Sequence, residues 1–368
     1  MDIQSDMPIQ LPVAGESGRP ANDARVHLLG LTSPDLRRWM GEAGHSPYRA
    51  DQILEWIYRH GVDDFAKMTN LSKALRDWLS EHAVILKSTV TRMSASADGT
   101  RKLLLTWPDG RSIETVWIPD TDRNTACVSS QVGCPVGCRF CASGLTGVER
   151  DLTTGEIVEQ AARVRNLIGP EARLNNIVFM GMGEPLANYD NVIAAIRILN
   201  APWGLNIGAR KFTVSTVGLP KQIRRLADEE LQLNLALSLH APSDDLRKEL
   251  IPWAVPIEDL LSACEYYFEK TGREITLEYT LLGNVNDKPR HADKLAQIAG
   301  RLRANVNLLR YNPVAGLPFE RPDAQTTLTF QERLRDRGVN AHTRRSRGDD
   351  IDAACGQLRR AALSAGGA

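Results

Sequence analysis

The stretch Cys134-Pro135-Val136-Gly137-Cys138-Arg139-Phe140-Cys141 puts three thiols within eight residues, spaced C-x3-C-x2-C. Gly133, Pro135 and Gly137 interrupt any regular element here, so the thiols belong to a loop and not to a core helix. Three thiolates on a short loop can hold three corners of a 4Fe–4S cubane and leave the fourth iron without a protein ligand. An open coordination position marks a catalytic metal site, whereas structural sites are closed. The competing reading is a structural zinc with Cys127 as the fourth thiolate. Zinc sites usually pair their cysteines as two C-x2-C units, and that pairing is missing.

Outward from this loop, strand-like runs alternate with helical ones. The strand-like runs are Thr125–Ser129, Asn176–Met180, Phe212–Thr216, Leu233–Leu239, Ile275–Leu281 and Val306–Arg310. Helical patterns fill the gaps at Thr154–Ile168, Asn191–Leu199, Pro220–Asp228, Ile257–Lys270 and Ala292–Arg303. Six successive βα units predict an α/β fold with a parallel sheet and right-handed crossovers, closed or partly closed into a (βα)6 barrel. In such barrels chemistry sits on the loops after the strands. The thiol loop follows the first of them.

Before the barrel, Ile53, Trp56 and Ile57, then Leu71, Leu75, Trp78 and Leu79, recur at helical spacing. They predict a small helical domain over residues 26–95, with a polar, disordered tail at 1–25. Leu103–Trp107 and Ile113–Ile118 flank the turn sequence Pro108-Asp109-Gly110, which predicts a hairpin within 96–120. The barrel then covers 121–345, and 346–368 forms a C-terminal segment.

The 368-residue chain has a formal net charge of zero, so any nucleic-acid contact has to come from local patches. Short basic runs occur at Arg344, Arg345 and Arg347, at Arg210 and Lys211, and at Arg224 and Arg225. No apolar run is long enough to span a bilayer and no signal-peptide pattern opens the chain, so a cytoplasmic protein is expected. Of six cysteines, Cys264 lies on one helical face with Ile257, Leu260, Leu261 and Phe268 and reads as core. Cys355 by itself also reads as a small apolar residue near a helix.

The thiol spacing on the first βα loop resembles the radical-SAM superfamily. Three further runs narrow the resemblance: Cys127-Val-Ser-Ser-Gln-Val-Gly-Cys134, Gly181-Met-Gly-Glu-Pro-Leu186, and Arg347-Gly-Asp-Asp-Ile-Asp-Ala-Ala-Cys355-Gly-Gln-Leu358. With Tyr48-Arg-Ala-Asp-Gln-Ile53, they resemble the RlmN-type family of dual-specificity RNA adenine carbon-2 methyltransferases over residues 27–360.

That resemblance implies a 4Fe–4S cluster on Cys134, Cys138 and Cys141 and two S-adenosylmethionine molecules per turnover. One methylates Cys355; the other gives a radical that takes a hydrogen from the S-methyl group. The carbon radical adds to adenine carbon 2, a position that is not nucleophilic, and leaves a covalent enzyme–RNA adduct. Cys127 would resolve the adduct through a transient disulfide with Cys355, and Glu114 matches the family's proton acceptor. Alternation along its strand, however, would point Glu114 to solvent. Gly183, Glu184, Ser215, Ser238, Leu239, His240 and Asn312, all at strand ends, match the S-adenosylmethionine contacts. Here the Glu184 carboxylate would take a hydrogen bond from the cofactor's ammonium. The implied partners are 23S rRNA and tRNA, with the helical domain adding RNA contact, and an external electron donor; a monomer is expected.

The segment Ala142-Ser-Gly-Leu-Thr-Gly-Val-Glu-Arg150 departs from the family's Ser-Thr-Ala-Gln-Gln-Gly-Phe-Asn-Arg, which leaves the RNA preference open. The sister branch that methylates carbon 8 shares both extra cysteines. The helical domain and the Gly-Met-Gly-Glu-Pro run favour the carbon-2 branch. A zinc-stabilised RNA-binding protein without catalysis is the alternative of a different class.

Overall fold

The computed structural model describes residues 23–358. Most of the tail expected at 1–25, and the last ten residues of the C-terminal segment, lie outside them.

Three short helices open the described chain: α1 (Ser33–Glu42), α2 (Arg49–Tyr58) and α3 (Lys73–His82). Thr32 and Ser72 cap α1 and α3 by accepting a backbone N–H three residues on. Their inner faces bury Leu36, Met40, Ile53, Ile57 and Leu79. Strands β1 (Val26–His27) and β2 (Ala83–Val84) pair in parallel and close this unit.

The main sheet has ten strands. At one edge lie three antiparallel strands, β3 (Thr89–Ala95), β4 (Arg101–Thr106) and β5 (Ser112–Asp120). Thr106 pairs with Ser112 across the turn expected at Pro108-Asp109-Gly110, and Gly110 takes φ +78° there. Strand β3 had been assigned from sequence to the helical domain (26–95). It belongs instead to this sheet, where it is an edge strand of mostly exposed polar residues without an apolar run.

Strand β6 (Arg123–Cys127) pairs antiparallel with β5 and starts the parallel part of the sheet. Between β6 and the next strand of the sheet, β7 (Gln131–Gly133) and β8 (Val148–Asp151) form a separate antiparallel pair that brackets the thiol loop. Helix α4 (Thr154–Ile168) follows, entered by a capping box of Thr153 and Glu156 that contributes about 1 kcal/mol. The sheet continues through β9 (Leu174–Phe179), β10 (Phe212–Thr216), β11 (Asn234–Ser238), β12 (Thr276–Leu281) and β13 (Asn305–Arg310), all parallel. Helices α5 (Tyr189–Asn200), α6 (Pro220–Ala227), α7 (Asp244–Leu250), α8 (Ile257–Thr271) and α9 (Pro289–Leu302) connect them.

The six expected strands are present, and a seventh extends them. Helix α10 (Ala324–Arg335) leads to β14 (Ala341–Arg344), parallel to β13 at the far edge. Its sequence, Ala-His-Thr-Arg, buries only Ala341, so it carries no apolar pattern to read. The strand order β14-β13-β12-β11-β10-β9-β6-β5-β4-β3 makes an open, partial barrel with β14 at one edge and the antiparallel extension at the other. Cys264 is fully buried in the core, on α8.

Candidate active site

The C-terminal ends of the parallel strands converge on one mouth, as strand direction dictates. The thiol loop lies across it. Cys134 N–H donates to the Gly147 carbonyl (3.0 Å) and Cys141 N–H to the Cys138 carbonyl (3.1 Å). Gly133 makes the turn possible: at φ +80° a Cβ would lie 1.9 Å from the Gly147 oxygen. All three thiols are half-buried against a small apolar cluster that includes Val136, Phe140, Val217, Leu250, Ile251 and Tyr311. Burial pushes the Cys134 thiol up to about 12 and that of Cys138 well above the ordinary range, and neighbouring thiols add to both.

This donor set fits a 4Fe–4S cluster. The ligands are all sulfur, they number three, and a low-dielectric shell surrounds them. Among the described residues, no three His, Cys, Asp or Glu side chains converge on a single-ion position. A cubane keeps its corner thiolates apart and makes no such demand. Cys127, the fourth ligand of the zinc reading, is buried at the end of β6, and the thiol that influences it is that of Cys355 and none of the loop thiols.

Cys355 arrives from the C-terminal segment. The helix read beside it is a single 3-10 turn, Asp349–Ile351, between left-handed Gly348 and Asp352. Asn312 Nδ2 donates to the Cys355 carbonyl (3.3 Å), while its Oδ1 accepts from Arg321 and Ser346 (both 2.9 Å). The residue is exposed to solvent. Desolvation, then Glu278 and Cys141, push its thiol up to about 11. Burial first, then the charge of Cys355, raises the Cys127 thiol.

Glu114 is buried, contrary to the alternation argument. The C-terminal segment covers its face of the sheet. Lys102, its diagonal neighbour on β4, pairs with it at 2.9 Å and also reaches the Asp352 carbonyl.

The other strand-end residues divide by role. Gly183 has φ +104°, and a Cβ there would meet Ser130 Oγ at 2.6 Å. That hydroxyl is buried and has no hydrogen-bond partner among the described residues. Glu184 is buried, and its oxygens accept the N–H groups of Leu186 (3.0 Å) and Val217 (2.9 Å). Its carboxylate therefore already ties two loops together, and only its second lone pairs remain for a ligand. Ser215 and Ser238 share a hydroxyl contact of 3.1 Å. Leu239 is fully buried, so only its backbone can serve. His240 is in left-handed backbone (φ +55°), and its Nδ1 accepts the Thr280 N–H at 3.0 Å, which assigns the ring proton to Nε2. Burial, with help from Arg247, lowers its pKa to about 3, so the ring is neutral.

Three supporting residues were not identified from sequence. Ser129 Oγ donates to the Glu114 carbonyl (2.7 Å) and accepts Met182 N–H (2.9 Å), which pins the Glu114 strand to the Gly-Met-Gly-Glu-Pro loop. Gln131 bridges Asp151 (2.7 Å) and Glu184 N–H (2.8 Å). Arg247 is fully buried and donates to the carbonyls of Leu239, Val255 and Val217. The first two lie inside a motif already singled out. Arg247 sits in an ordinary charged helix and gave no signal. Of the basic runs, Arg344 and Arg345 end β14 and are exposed at the mouth end of the sheet. Arg210 and Lys211 precede β10 at the opposite end, and Arg224 and Arg225 lie on α6.

A parallel sheet with three thiols on its first βα loop defines a radical-SAM enzyme, and residues 128–296 match the radical SAM superfamily. The superfamily works with a 4Fe–4S cluster and S-adenosylmethionine. Residues 26–85 match a family described as the ribosomal RNA large subunit methyltransferase N-terminal domain. A probable dual-specificity RNA methyltransferase RlmN of Rhodopirellula baltica is 45% identical over 356 residues, 96% of this chain and 95% of that protein. The corresponding protein of Gloeobacter violaceus is 48% identical over 92% of this chain and 96% of its own length. A radical SAM methyltransferase from Sphaerobacter thermophilus, known from its crystal structure, superposes with a TM-score of 0.89 at 45% identity, covering 91% of this chain and 99% of that one. The chain belongs to the RlmN family of radical-SAM RNA methyltransferases. Among the described residues no helix is long and apolar enough to cross a membrane.

Proposed function

We propose that the protein methylates carbon 2 of an adenosine in 23S rRNA and of an adenosine in tRNA, through an S-methylated Cys355 and a covalent enzyme–RNA adduct. The observation that carries this reading is the backbone bond from the Ala142 N–H to the Gly356 carbonyl at 2.8 Å, which joins the residue after Cys141 to the residue after Cys355, with Cys127 buried at the end of β6 just before the thiol loop. A methyl acceptor has to face the cofactor on one side and a resolving thiol on the other.

Cys134, Cys138 and Cys141 would hold the cluster, which when bound supplies the electron that opens radical chemistry on S-adenosylmethionine. Gly183, whose missing side chain lets its loop close on Ser130 and Gln131, would with Ser130, Ser215, Ser238, Glu184, neutral His240 and the backbone of Leu239 line the place of the cofactor. Asn312 presents Cys355 by its carbonyl. Cys355 first takes a methyl group by displacement from one S-adenosylmethionine, and a second is spent on the radical step. Glu114 accepts the proton lost from carbon 2. The Cys127 thiol attacks the Cys355 sulfur, the S–S bond forms as the bond from Cys355 sulfur to the methylene carbon breaks, and that carbon takes up a proton to become the methyl group of the released RNA, so each turnover needs reductant for the disulfide. An external electron donor serves the cluster, the protein works as a monomer in the cytoplasm, and Arg344 and Arg345 meet RNA phosphate at the mouth.

The test is methylation of unmodified 23S rRNA and tRNA by anaerobically purified protein with S-adenosylmethionine and reductant, followed by identification of the modified base. Carbon-2 methyladenine from wild type, none from Cys355→Ala and a trapped adduct from Cys127→Ala are expected. A carbon-8 product would move the chain to the sister branch. Cofactor cleavage with unmodified RNA would overturn the substrate assignment.

A further inference from the structure

The antiparallel strands at the sheet edge hold the segment that carries Cys355. Gly348 N–H donates to the Asp98 carboxylate (3.1 Å), Ala97 N–H to that of Asp350 (3.3 Å), and Arg347 pairs with Asp120 (3.4 Å). Gly348 is left-handed at φ +64°, and a Cβ there would approach Thr100 to 2.9 Å. These contacts lie at the start of the segment. One contact lies deeper. The Lys102 side chain is only 11% exposed, and its Nζ donates at 2.9 Å both to Glu114 Oε1 and to the Asp352 carbonyl. Asp352 holds a left-handed backbone at φ +52°, which costs an L-residue about 1 kcal/mol, three residues before Cys355.

We propose that Lys102 is a positioning residue of the reaction: its ammonium fixes the Cys355 loop to the Glu114 carboxylate, so that sulfur and proton acceptor meet the same adenine as one unit. This rests on the roles given above to Cys355 and Glu114. An ammonium has three donors and no acceptor, so it can join a carboxylate to a carbonyl, as it does here. In the step it serves, the carbon-2 C–H bond of the adduct breaks and an O–H bond forms on Glu114. The electron pair of the broken bond stays in the ring, and the unpaired electron left by the radical addition would pass back to the oxidised cluster that Cys134, Cys138 and Cys141 would hold. The carboxylate therefore has to stand beside a carbon whose other side is tied to Cys355, and a misplacement of about 1 Å is enough to cost about 100-fold. The contacts of Gly348, Asp350 and Arg347 keep the loop attached without Lys102, but none of them reaches Glu114.

The experiment uses full-length, cluster-loaded enzyme. Lys102→Met, Lys102→Arg, Glu114→Gln and Cys127→Ala are compared for iron and sulfide content, RNA affinity, S-methylation of Cys355 by peptide mass, covalent adduct on denaturing gels, and product. Lys102→Met should keep its iron, bind RNA within about 2-fold of wild type, form product about 30-fold or more slowly, and accumulate adduct as Glu114→Gln does. Lys102→Arg, which keeps charge and reach, should recover a large part of the rate. Adduct accumulation separates positioning from a merely structural role, in which Cys355 methylation, adduct and product all fall together. That pattern would overturn the inference, as would wild-type turnover by Lys102→Met. If Lys102→Met does not load iron, Lys102→Gln, which keeps one donor without the charge, is put to the same adduct test. Failure of Cys127→Ala to trap an adduct would sink the proposed roles of the cysteines. A trapped adduct together with normal Lys102 variants would sink only the role of Lys102.

Discussion

The N–H of Ala142 donates to the carbonyl of Gly356 at 2.8 Å, and each of these residues directly follows a cysteine of the site, Cys141 and Cys355. One residue further on, the Ser143 hydroxyl donates to the Leu358 carbonyl at 2.5 Å. The thiol loop and the C-terminal loop are thus stitched by their backbones as well as brought near. On its other side the C-terminal loop rests on the antiparallel extension through Asp98, Lys102 and Asp120. Cys355 is held between two independent supports that are far apart in sequence.

The Ser143 bond is buried and, among the described residues, no other donor serves the same oxygen, so Ser143→Ala leaves the Leu358 carbonyl short of a donor. The expected cost is about 1–2 kcal/mol, confined to the end of the described chain. Hydrogen exchange of peptides covering 352–358 should speed up about 5- to 30-fold while iron content stays unchanged. Unchanged exchange would mean that the Ala142–Gly356 bond suffices to hold the loop.

Gly133→Ala attacks the first support at its turn. The left-handed φ of +80° and the 1.9 Å approach to the Gly147 oxygen leave no room for a methyl group. Strands β7 and β8 would have to separate, and the Cys134 N–H would lose its bond to the same oxygen. The variant should purify with less than about half of the wild-type iron and sulfide, since a strained turn of this kind costs several kcal/mol. Full iron content would show that the hairpin does not shape the thiol loop.

A third support joins the helical domain to the barrel, and it is sensitive to pH. Glu159, fully buried on α4, accepts from Lys87 N–H (2.8 Å), Ser88 N–H (2.9 Å) and hydroxyl (2.6 Å) and Arg163 (2.9 Å), and faces His27 at 3.2 Å. Burial alone would raise its carboxyl, but His27, Arg163 and Ser88 outweigh that and hold it at about 2. A carboxyl depressed on folding stabilises the protein above its unfolded pKa of about 4.3, and that stabilisation is lost as pH falls through the folded value. Its magnitude is about 3 kcal/mol. Thermal unfolding followed from pH 7 to pH 2 should show this loss below about pH 4.5 in wild type and a shallower one in Glu159→Gln. Parallel curves would remove Glu159 from the acid limb.

How far the site could be read beforehand follows from where its signals lie. The barrel announced itself because its six parallel strands read as short apolar runs, with β11, β12 and β13 buried on both faces along their middles. Strand β14 did not, since only Ala341 of its four residues is buried. The thiols of Cys134, Cys138 and Cys141 were legible because their spacing is local. Cys355 was legible only by resemblance: its partners Asn312, Lys102 and Asp98 lie 43 or more residues away, beyond any periodicity. Glu114 was misread for the same reason, because the cover that buries it comes from the other end of the chain.

Arg247 is the strongest case of a support without a sequence signal, and its loss should be costly. It is the largest fully buried side chain of the described structure. Its guanidinium donates to the carbonyls that follow β10 and β11 and to Val255, so one side chain ties the loops of Val217 and Leu239 to the start of α8. Burial lowers its pKa to about 10, which still leaves it charged at neutral pH. Arg247→Met fills much of the volume but leaves two buried carbonyls and the half-buried one of Val255 without this donor. Removing one partner of such a buried set costs about 3–5 kcal/mol, most of it from the groups left behind. Chemical denaturation should show that loss for Arg247→Met, with Arg247→Lys in between because an ammonium can reach some but not all of three diverging carbonyls. Iron should also leave the variant faster under a chelator, since the Arg139 N–H bond to the Leu250 carbonyl ties the thiol loop to the C-terminal end of the same helix. Stability within about 1 kcal/mol of wild type would mean that water replaces the guanidinium, and the loops after β10 and β11 would then owe their order to Glu184, which accepts the Val217 N–H, and to Asn286, whose Nδ2 donates to the His240 carbonyl at 2.8 Å.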